Sequence, residues 1–484
     1  MASRWRPIAL VAAAVVVGLV VRLATFTGLI ASDDLTHVWA ATHVWDDPVE
    51  HSMPDGPGSP YTVNARRIGV NLPLAAAATI AGPGEREFAA VPLIASLLGV
   101  VLIAVAAAGL GGGRAAVLAA GLTALLPVDV WHATIVLQDS VFAAGLAGLL
   151  AALVWAERRD RWWLWLIAGA TLGYLQYVKE SAAVMLLALI VLGGWRTWRA
   201  RAVHRGTLWL IAGFLAMQVL ATIYFAIAFD DAGYYVRSWL GRQVDVEGAA
   251  AARPFPHNLL RLGLYLTGSG ALGLGLPLAL APGAGWLART APASTRITLT
   301  VLLAVQLAIT IHVLRWGAWT MRYLLQLTPL LVLVAAVGLA AAWSSRSARA
   351  RAALHAGVII ATAAGLLYGH PQHGRFRSRL LRDAATVIAR DVPADAPVYV
   401  VVGPRPAHYA DRALAILAGP RPGGWHTTPA PTTITRGALI YSNLERHPAP
   451  PSPPPGRVLY QGRARGGRDW LVVYAVGLPD VTAP

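Results

Sequence analysis

The chain has 484 residues, 56% of them hydrophobic and only 13% charged. Soluble domains carry about a quarter charged residues, so this composition excludes a wholly water-soluble protein and points to a polytopic membrane protein. The net charge of +16 is no nucleic-acid footprint, because arginine clusters between apolar runs without any accompanying nucleic-acid motif, and the absence of cysteine excludes disulfides and thiolate chemistry.

The N-terminal stretch MASRWRPIALVAAAVVVGLVVRL has the basic flank and apolar core of a signal peptide, yet no small-residue cleavage site follows. It reads as a retained first span, 8–30, with its N-terminus in the cytoplasm. Further apolar runs of near-spanning length occur at 88–110, 114–128, 138–156, 163–178, 181–195, 208–229, 259–281, 297–314, 323–343 and 353–369. Starting inside, the inward connections are 111–114, 157–161, 196–205, 289–296 and 346–351. All five contain arginine, as the positive-inside rule expects. About eleven spans place the C-terminal segment outside.

Beyond residue 369 the texture changes. Helical periodicity marks 376–390 and 406–418, and strand patterns mark 397–403, 437–442, 457–461 and 469–476, with the extended loop HPAPPSPPPG between them. The expected organisation is a membrane domain over 1–370, with a first outer loop at about 31–87, followed by a small α/β extracytoplasmic domain over 371–484.

Under this topology the ionisable residues gather at the outer leaflet. The first outer loop holds Asp33, Asp34, His37, Arg66 and Arg67, and the third-to-fourth turn holds Asp129, His132 and Asp139. The fifth-to-sixth turn, YVKES, holds Lys179 and Glu180, and the ninth-to-tenth holds Arg322 and Tyr323. Arg22 lies within the first span, about three turns before Asp33. Charges at membrane depth are costly and usually pair or line a site. Cations at headgroup depth suit a lipid phosphate, and a nearby carboxylate suits a hydroxyl nucleophile as its base. A divalent metal could add charge neutralisation, with His37 and Asp139 as candidate ligands; no other cofactor is implied.

Arg22-Leu23 followed by Asp33-Asp34-x-x-His37 resembles the RL…DExxY signature of GT-C glycosyltransferases, in the branch of protein O-mannosyltransferases and ArnT-like aminoarabinose transferases. LQDSVFAAGL resembles the acidic start of that branch's fourth helix, YVKES its LTKxP turn, and RYLLQLTPLLVLVAA its RYLLPxxP helix. Asp34 stands where the family has Glu, His37 where it has Tyr, and YVKES lacks the proline. The resemblance implies a GT-C-like fold and an inverting enzyme that moves a hexosyl or pentosyl unit from a polyprenyl phosphate to a hydroxyl acceptor. That acceptor would be a protein, a lipid or an envelope glycan, reached at the outer face of the cytoplasmic membrane.

The resemblance assigns Asp33 as general base. The competing reading makes Asp33 and Asp34 first-turn helix acids behind a Ser32 cap. Asp34 would orient the base, hold a metal or pair with Arg22, whose own role is structural. Asp139 would position the acceptor or a metal. Lys179 would hold the donor phosphate as a point charge, and it is the only lysine in the chain. Snorkelling to headgroups is its alternative. Arg322 and Tyr323 would contact the phosphate or anchor the interface. His37, one turn after Asp33, shares its helix face, and Trp39 and Trp45 would anchor an amphipathic helix at the headgroups. The rival functions are an ion-coupled transporter, disfavoured by the scarcity of ionisable residues at span centres, and a noncatalytic scaffold.

Overall fold

The computed structural model describes residues 2–30, 33–45, 66–237, 259–260, 263, 270–315, 321–342, 347–368, 373–401, 410–428, 434–442, 451, 455–463 and 470–479. Helix α1 (Ala2–Ala24) leads through a short extended segment to α2 (Asp33–Thr42) and α3 (Ile68–Ala81), both within the expected outer loop. Ser32 lies outside the described residues.

Helix α4 (Glu85–Ala124) contains two of the expected spans. At Gly112 the backbone takes φ 72°, ψ −167°, which only glycine adopts freely, and the helix folds back inside its Gly-Gly-Gly-Arg turn. The second arm stops at Ala124 rather than at 128. Leu126 is extended because it precedes Pro127, and the proline opens the short helix α5 (Pro127–His132). Then come α6 (Gln138–Arg159), α7 (Trp162–Gln176), α8 (Ala182–Ala200) and α9 (Arg205–Ala228).

Two expected spans are displaced. Where 259–281 was expected, the well-described helix is α10 (Gly275–Arg289), because Gly270 and Gly273 at φ 72° and 61° turn the chain first; residues 261–262 and 264–269 lie outside the described set. After α11 (Ala293–Arg315), the run expected as 323–343 begins with a 3₁₀ turn, Met321–Gln326, and becomes α12 only at Thr328–Ala342. Pro329 in the first turn of α12 has no N–H to give to a preceding α-helical turn. Helix α13 (Ala348–Tyr368) ends the membrane domain. Seven of the described helices, α1, α4, α6, α8, α9, α11 and α13, are long and apolar enough to cross a bilayer, and α12 is a shorter apolar helix.

Small residues bring these helices close. A Cβ at Gly169 of α7 would strike the Leu210 carbonyl of α9, and one at Gly213 of α9 would strike the Leu166 carbonyl in return. Close backbone approach of this kind drives helix association in lipid, where burying apolar surface gains little.

Helix α2 is more buried than the amphipathic helix expected from Trp39 and Trp45, although Trp45, just beyond it, is exposed. Leu35, Val38 and Ala41 are buried, and so are Asp34, Thr36 and His37 on the other faces. The helix is enclosed by protein, with α3 packed along it.

The C-terminal domain starts with α14 (His373–Asp391), then β1 (Val398–Val401), α15 (Ala410–Ala418), β2 (Trp425–Thr428), β3 (Gly437–Ser442), β4 (Arg457–Arg463) and β5 (Trp470–Val476). The strand order is β2-β1-β3-β5-β4, with β1 parallel to β2 and β3, and β5 antiparallel to β3 and β4. Strand β2 is the element that the sequence reading lacked. Its WHTT has no apolar alternation and is partly exposed at the sheet edge, so no periodicity marks it.

Candidate active site

Helix α6 starts after extended Leu137, which leaves Gln138 and Asp139 in its first turn. The α7–α8 turn is pinned by the Lys179 N–H, donating to the Leu175 carbonyl at 2.8 Å. Lys179 therefore points across to α6, and its Nζ donates to Asp139 Oδ1 at 3.1 Å. The same ammonium lies 4.4 Å from the centre of the Tyr323 ring. Arg322 Nε approaches Asp139 Oδ2 at 3.8 Å, with its guanidinium 5.4 Å from the same ring. Asp139 is 1% exposed and Lys179 8% exposed. Four residues expected at the site from different parts of the sequence thus meet around one buried carboxylate.

A second charged group adjoins the first. Arg66 Nε bonds Glu180 Oε1 at 2.8 Å, and Arg67 lies 3.7 Å from Glu180 Oε2. The backbone locks this pairing in place. The Gly69 N–H donates to the Tyr177 carbonyl at 3.1 Å, and the Tyr174 hydroxyl donates to the Gly69 carbonyl at 2.6 Å. Buried Arg66 keeps one terminal guanidinium nitrogen without a hydrogen-bond partner. Among the described residues the two groups set four cations against two carboxylates. An excess of positive charge at low exposure is costly unless an anion arrives to share it.

Helix α2 reaches this cluster through His37. Its Nδ1 lies 3.2 Å from Asn71 Oδ1 of α3, and its Nε2 lies 2.8 Å from Gln138 Oε1, one residue before Asp139. An imidazolium donates to both oxygens; a neutral ring requires one amide to be turned so that it donates instead. Both ring nitrogens are engaged by amides and Asp139 faces two cations, a donor set that does not suit a divalent ion. Among the described residues, no three His, Asp or Glu side chains converge as metal ligands.

Asp33 is the first residue of α2, one turn before His37; its side chain lies outside the described residues. Asp34 is fully buried and does not pair with Arg22. Its Oδ2 accepts the Ile30 N–H at 2.6 Å, closing the start of α2. Arg22 turns instead toward α4 and α5. It pairs with Asp129 and donates to Ser96 Oγ at 2.8 Å, the Ala124 carbonyl at 2.8 Å and the Gly18 carbonyl at 3.0 Å. The chain leaves α1 as an extended segment after residue 25, which carries Asp34 away from the face that Arg22 occupies.

The sequence reading did not find Gln138 and Asn71 as the partners of His37. A polar pair opening an apolar span, Gln138-Asp139, was the available signal. It also did not find the apolar groove between α8 and α11. Val184, Leu187 and Trp195 line one wall, and Ile297, Val301 and Val305 the other, enclosing about 650 Å³. Its first wall residue, Val184, comes five positions after Lys179.

The sequence pattern of the family described as dolichyl-phosphate-mannose-protein mannosyltransferase matches residues 68–225. In structure, the chain is similar to ArnT from Cupriavidus metallidurans bound to undecaprenyl phosphate, with a TM-score of 0.62 over 100% of both chains at 15% identity. The chain has a GT-C-like fold. Its fold also resembles apo ArnT from the same organism, with a TM-score of 0.57 over 98% of both chains at 15% identity. The apo oligosaccharyltransferase of Archaeoglobus fulgidus is similar over 88% of this chain and 65% of its own, with a TM-score of 0.54 at 12% identity. No curated protein sequence gives a significant match. The seven described helices of spanning length and apolarity make the protein multi-pass in the membrane.

Proposed function

We propose that this GT-C protein is an inverting glycosyltransferase that moves a sugar from a polyprenyl-phosphate donor to a hydroxyl acceptor at the extracytoplasmic face. The observation that carries the reading is the buried cluster of cations around Asp139, followed along α8 by an apolar groove that starts at Val184. Lys179, Arg322 and Arg66 would hold the donor phosphate. Contacts of this kind to a charged group contribute about 1.5–3 kcal/mol each. The groove between α8 and α11 would take the isoprenoid chain, whose first units leave the phosphate beside Val184. Lys179 and Arg322, now shared between Asp139 and the phosphate, would stabilise the negative charge that grows on the leaving oxygen.

In the proposed step, the acceptor oxygen attacks the anomeric carbon from the face opposite the phosphate. The carbon–oxygen bond to phosphate breaks with its electron pair, polyprenyl phosphate leaves, and the acceptor proton passes to the Asp33 carboxylate. Single displacement inverts the anomeric centre. His37, fixed between Asn71 and Gln138, would keep α2 in register with Asp139. Protein, lipid and glycan acceptors all offer the same hydroxyl to this step.

The test is transfer from a panel of radiolabelled polyprenyl-phosphate sugars in membranes, comparing wild type with Asp33→Asn. Label moved by wild type alone establishes the activity and names the sugar. Equal transfer by both removes Asp33 from the base role, and no transfer from any donor refutes the reading.

A further inference from the structure

The segment between α1 and α2 is held from the C-terminal domain as well as from the membrane domain. The Thr27 N–H donates to Thr134 Oγ1 at 2.9 Å. The Thr27 carbonyl accepts from Ser378 Oγ and from Arg382 at 2.5 Å, both on α14. The Leu29 N–H donates to Glu85 Oε1 at 2.8 Å, and the next N–H, that of Ile30, goes to Asp34. Glu85, at the start of α4, takes two bonds from Arg382, Nε to Oε2 and a terminal nitrogen to Oε1, each at 2.9 Å. The Arg382 guanidinium also covers the Phe26 ring at 5.1 Å.

Gly28 sits inside this fork at φ +73°, and a Cβ there would strike both the Glu85 carboxylate and Arg382. A second contact touches α2 itself, since Arg412 of α15 lies over Trp39 at 5.2 Å. A two-bond arginine–carboxylate contact fixes direction as well as distance. Each residue from 27 to 30 except glycine thus has a backbone group held in place, and that segment sets where α2 begins.

We propose that the Arg382–Glu85 pair is a positioning device that couples the C-terminal domain to transfer, by setting the place of α2 relative to the donor-phosphate cluster. The proposal rests on the reading that α2 carries the base. Arg382 touches neither donor nor acceptor; it acts through Glu85 and the 27–30 backbone. Losing it releases the start of α2 while leaving Lys179, Arg322 and Arg66 where they are. The expected signature is therefore a loss in kcat without a matching loss in donor binding.

The natural lack of cysteine makes a spin-label test clean. Thr42→Cys on α2 and Ala183→Cys on α8, both exposed sites, report the distance between the helix and the cluster in full-length protein. With Arg382→Gln the distance distribution should broaden or shift, and with Arg382→Lys it should partly recover. With whichever labelled donor supports wild-type turnover, kcat should fall about 10- to 100-fold, as expected for slight misplacement of a catalytic group. Binding of undecaprenyl phosphate should stay within about twofold. A thermal melting temperature of Arg382→Gln close to that of wild type guards against simple misfolding. An unchanged distribution and kcat in Arg382→Gln would overturn the proposal, as would equal losses in kcat and undecaprenyl-phosphate binding. If wild type transfers no sugar, the glycosyltransferase reading fails, and the distance distribution alone decides whether the pair positions α2.

Discussion

Lys179 and Asp139 face each other at 3.1 Å, the ammonium on the α7–α8 turn and the carboxylate in the first turn of α6. The ion pair is more than a structural tie, because Arg322 approaches the same carboxylate at 3.8 Å.

Lys179→Ala should weaken undecaprenyl-phosphate binding about 10- to 100-fold, the worth of one charge-assisted contact. Lys179→Arg should recover part of it, since the longer planar cation can still reach an oxygen. Titration of purified protein in nanodiscs measures both, and unchanged affinity in the alanine variant would reassign the lysine to a purely structural pair.

Asp33→Asn should abolish turnover while undecaprenyl phosphate binds within about twofold, because the amide cannot accept the acceptor proton. Asp34→Asn should instead cost stability of about 1 kcal/mol, as a weakened cap on the Ile30 N–H. Paired turnover and thermal-denaturation measurements separate the two acids. Equal behaviour of the variants would contradict the division of roles.

Breaking the Arg22–Asp129 pair should destabilise the protein strongly. Asp129→Leu alone leaves a buried guanidinium uncompensated, at a cost of about 3–5 kcal/mol. The double variant Arg22→Met with Asp129→Leu should be less damaged than that single variant, because neither charge is stranded. Thermal melting in detergent orders them, and a double variant worse than the single would show that the carbonyl bonds of Arg22 matter more than the charge.

Filling the groove tests its role separately. Leu187→Trp places a ring between α8 and α11, away from every charged residue of the cluster. Affinity for undecaprenyl phosphate should fall about tenfold, while a short-chain prenyl phosphate is bound nearly as before; each buried CH₂ is worth about 0.8 kcal/mol. Equal loss for both lipids would argue against the groove as the chain site.

The side of the membrane is tested with Thr386→Cys, an exposed position on α14 in a chain with no other cysteine. A membrane-impermeant maleimide should label it in intact cells. Labelling only after permeabilisation would put the domain, and the cluster beneath it, on the cytoplasmic side.

Much of the bundle is legible in the sequence because a lipid environment imposes long apolar runs, and arginine marks the turns between them. Strand β3 falls at 437–442 as its apolar pattern indicates, buried throughout. Boundaries failed where backbone chemistry overrode hydropathy: at Pro127 and Pro329, and at Gly270 and Gly273, all of which sit within apolar surroundings. Strand β2 was invisible because pairing with β1, rather than any pattern of its own, makes it a strand.

By itself the sequence determined the membrane character and the candidacy of Asp139, Lys179, Arg322 and Tyr323, since hydropathy and charge act locally along the chain. Only the tertiary structure decided which charges meet. Arg22 chose Asp129 over Asp34, His37 found Asn71 and Gln138, and Arg382 crossed from the C-terminal domain to Glu85. A buried charge must find a partner somewhere, but helix packing, not spacing along the chain, fixes which partner lies within reach.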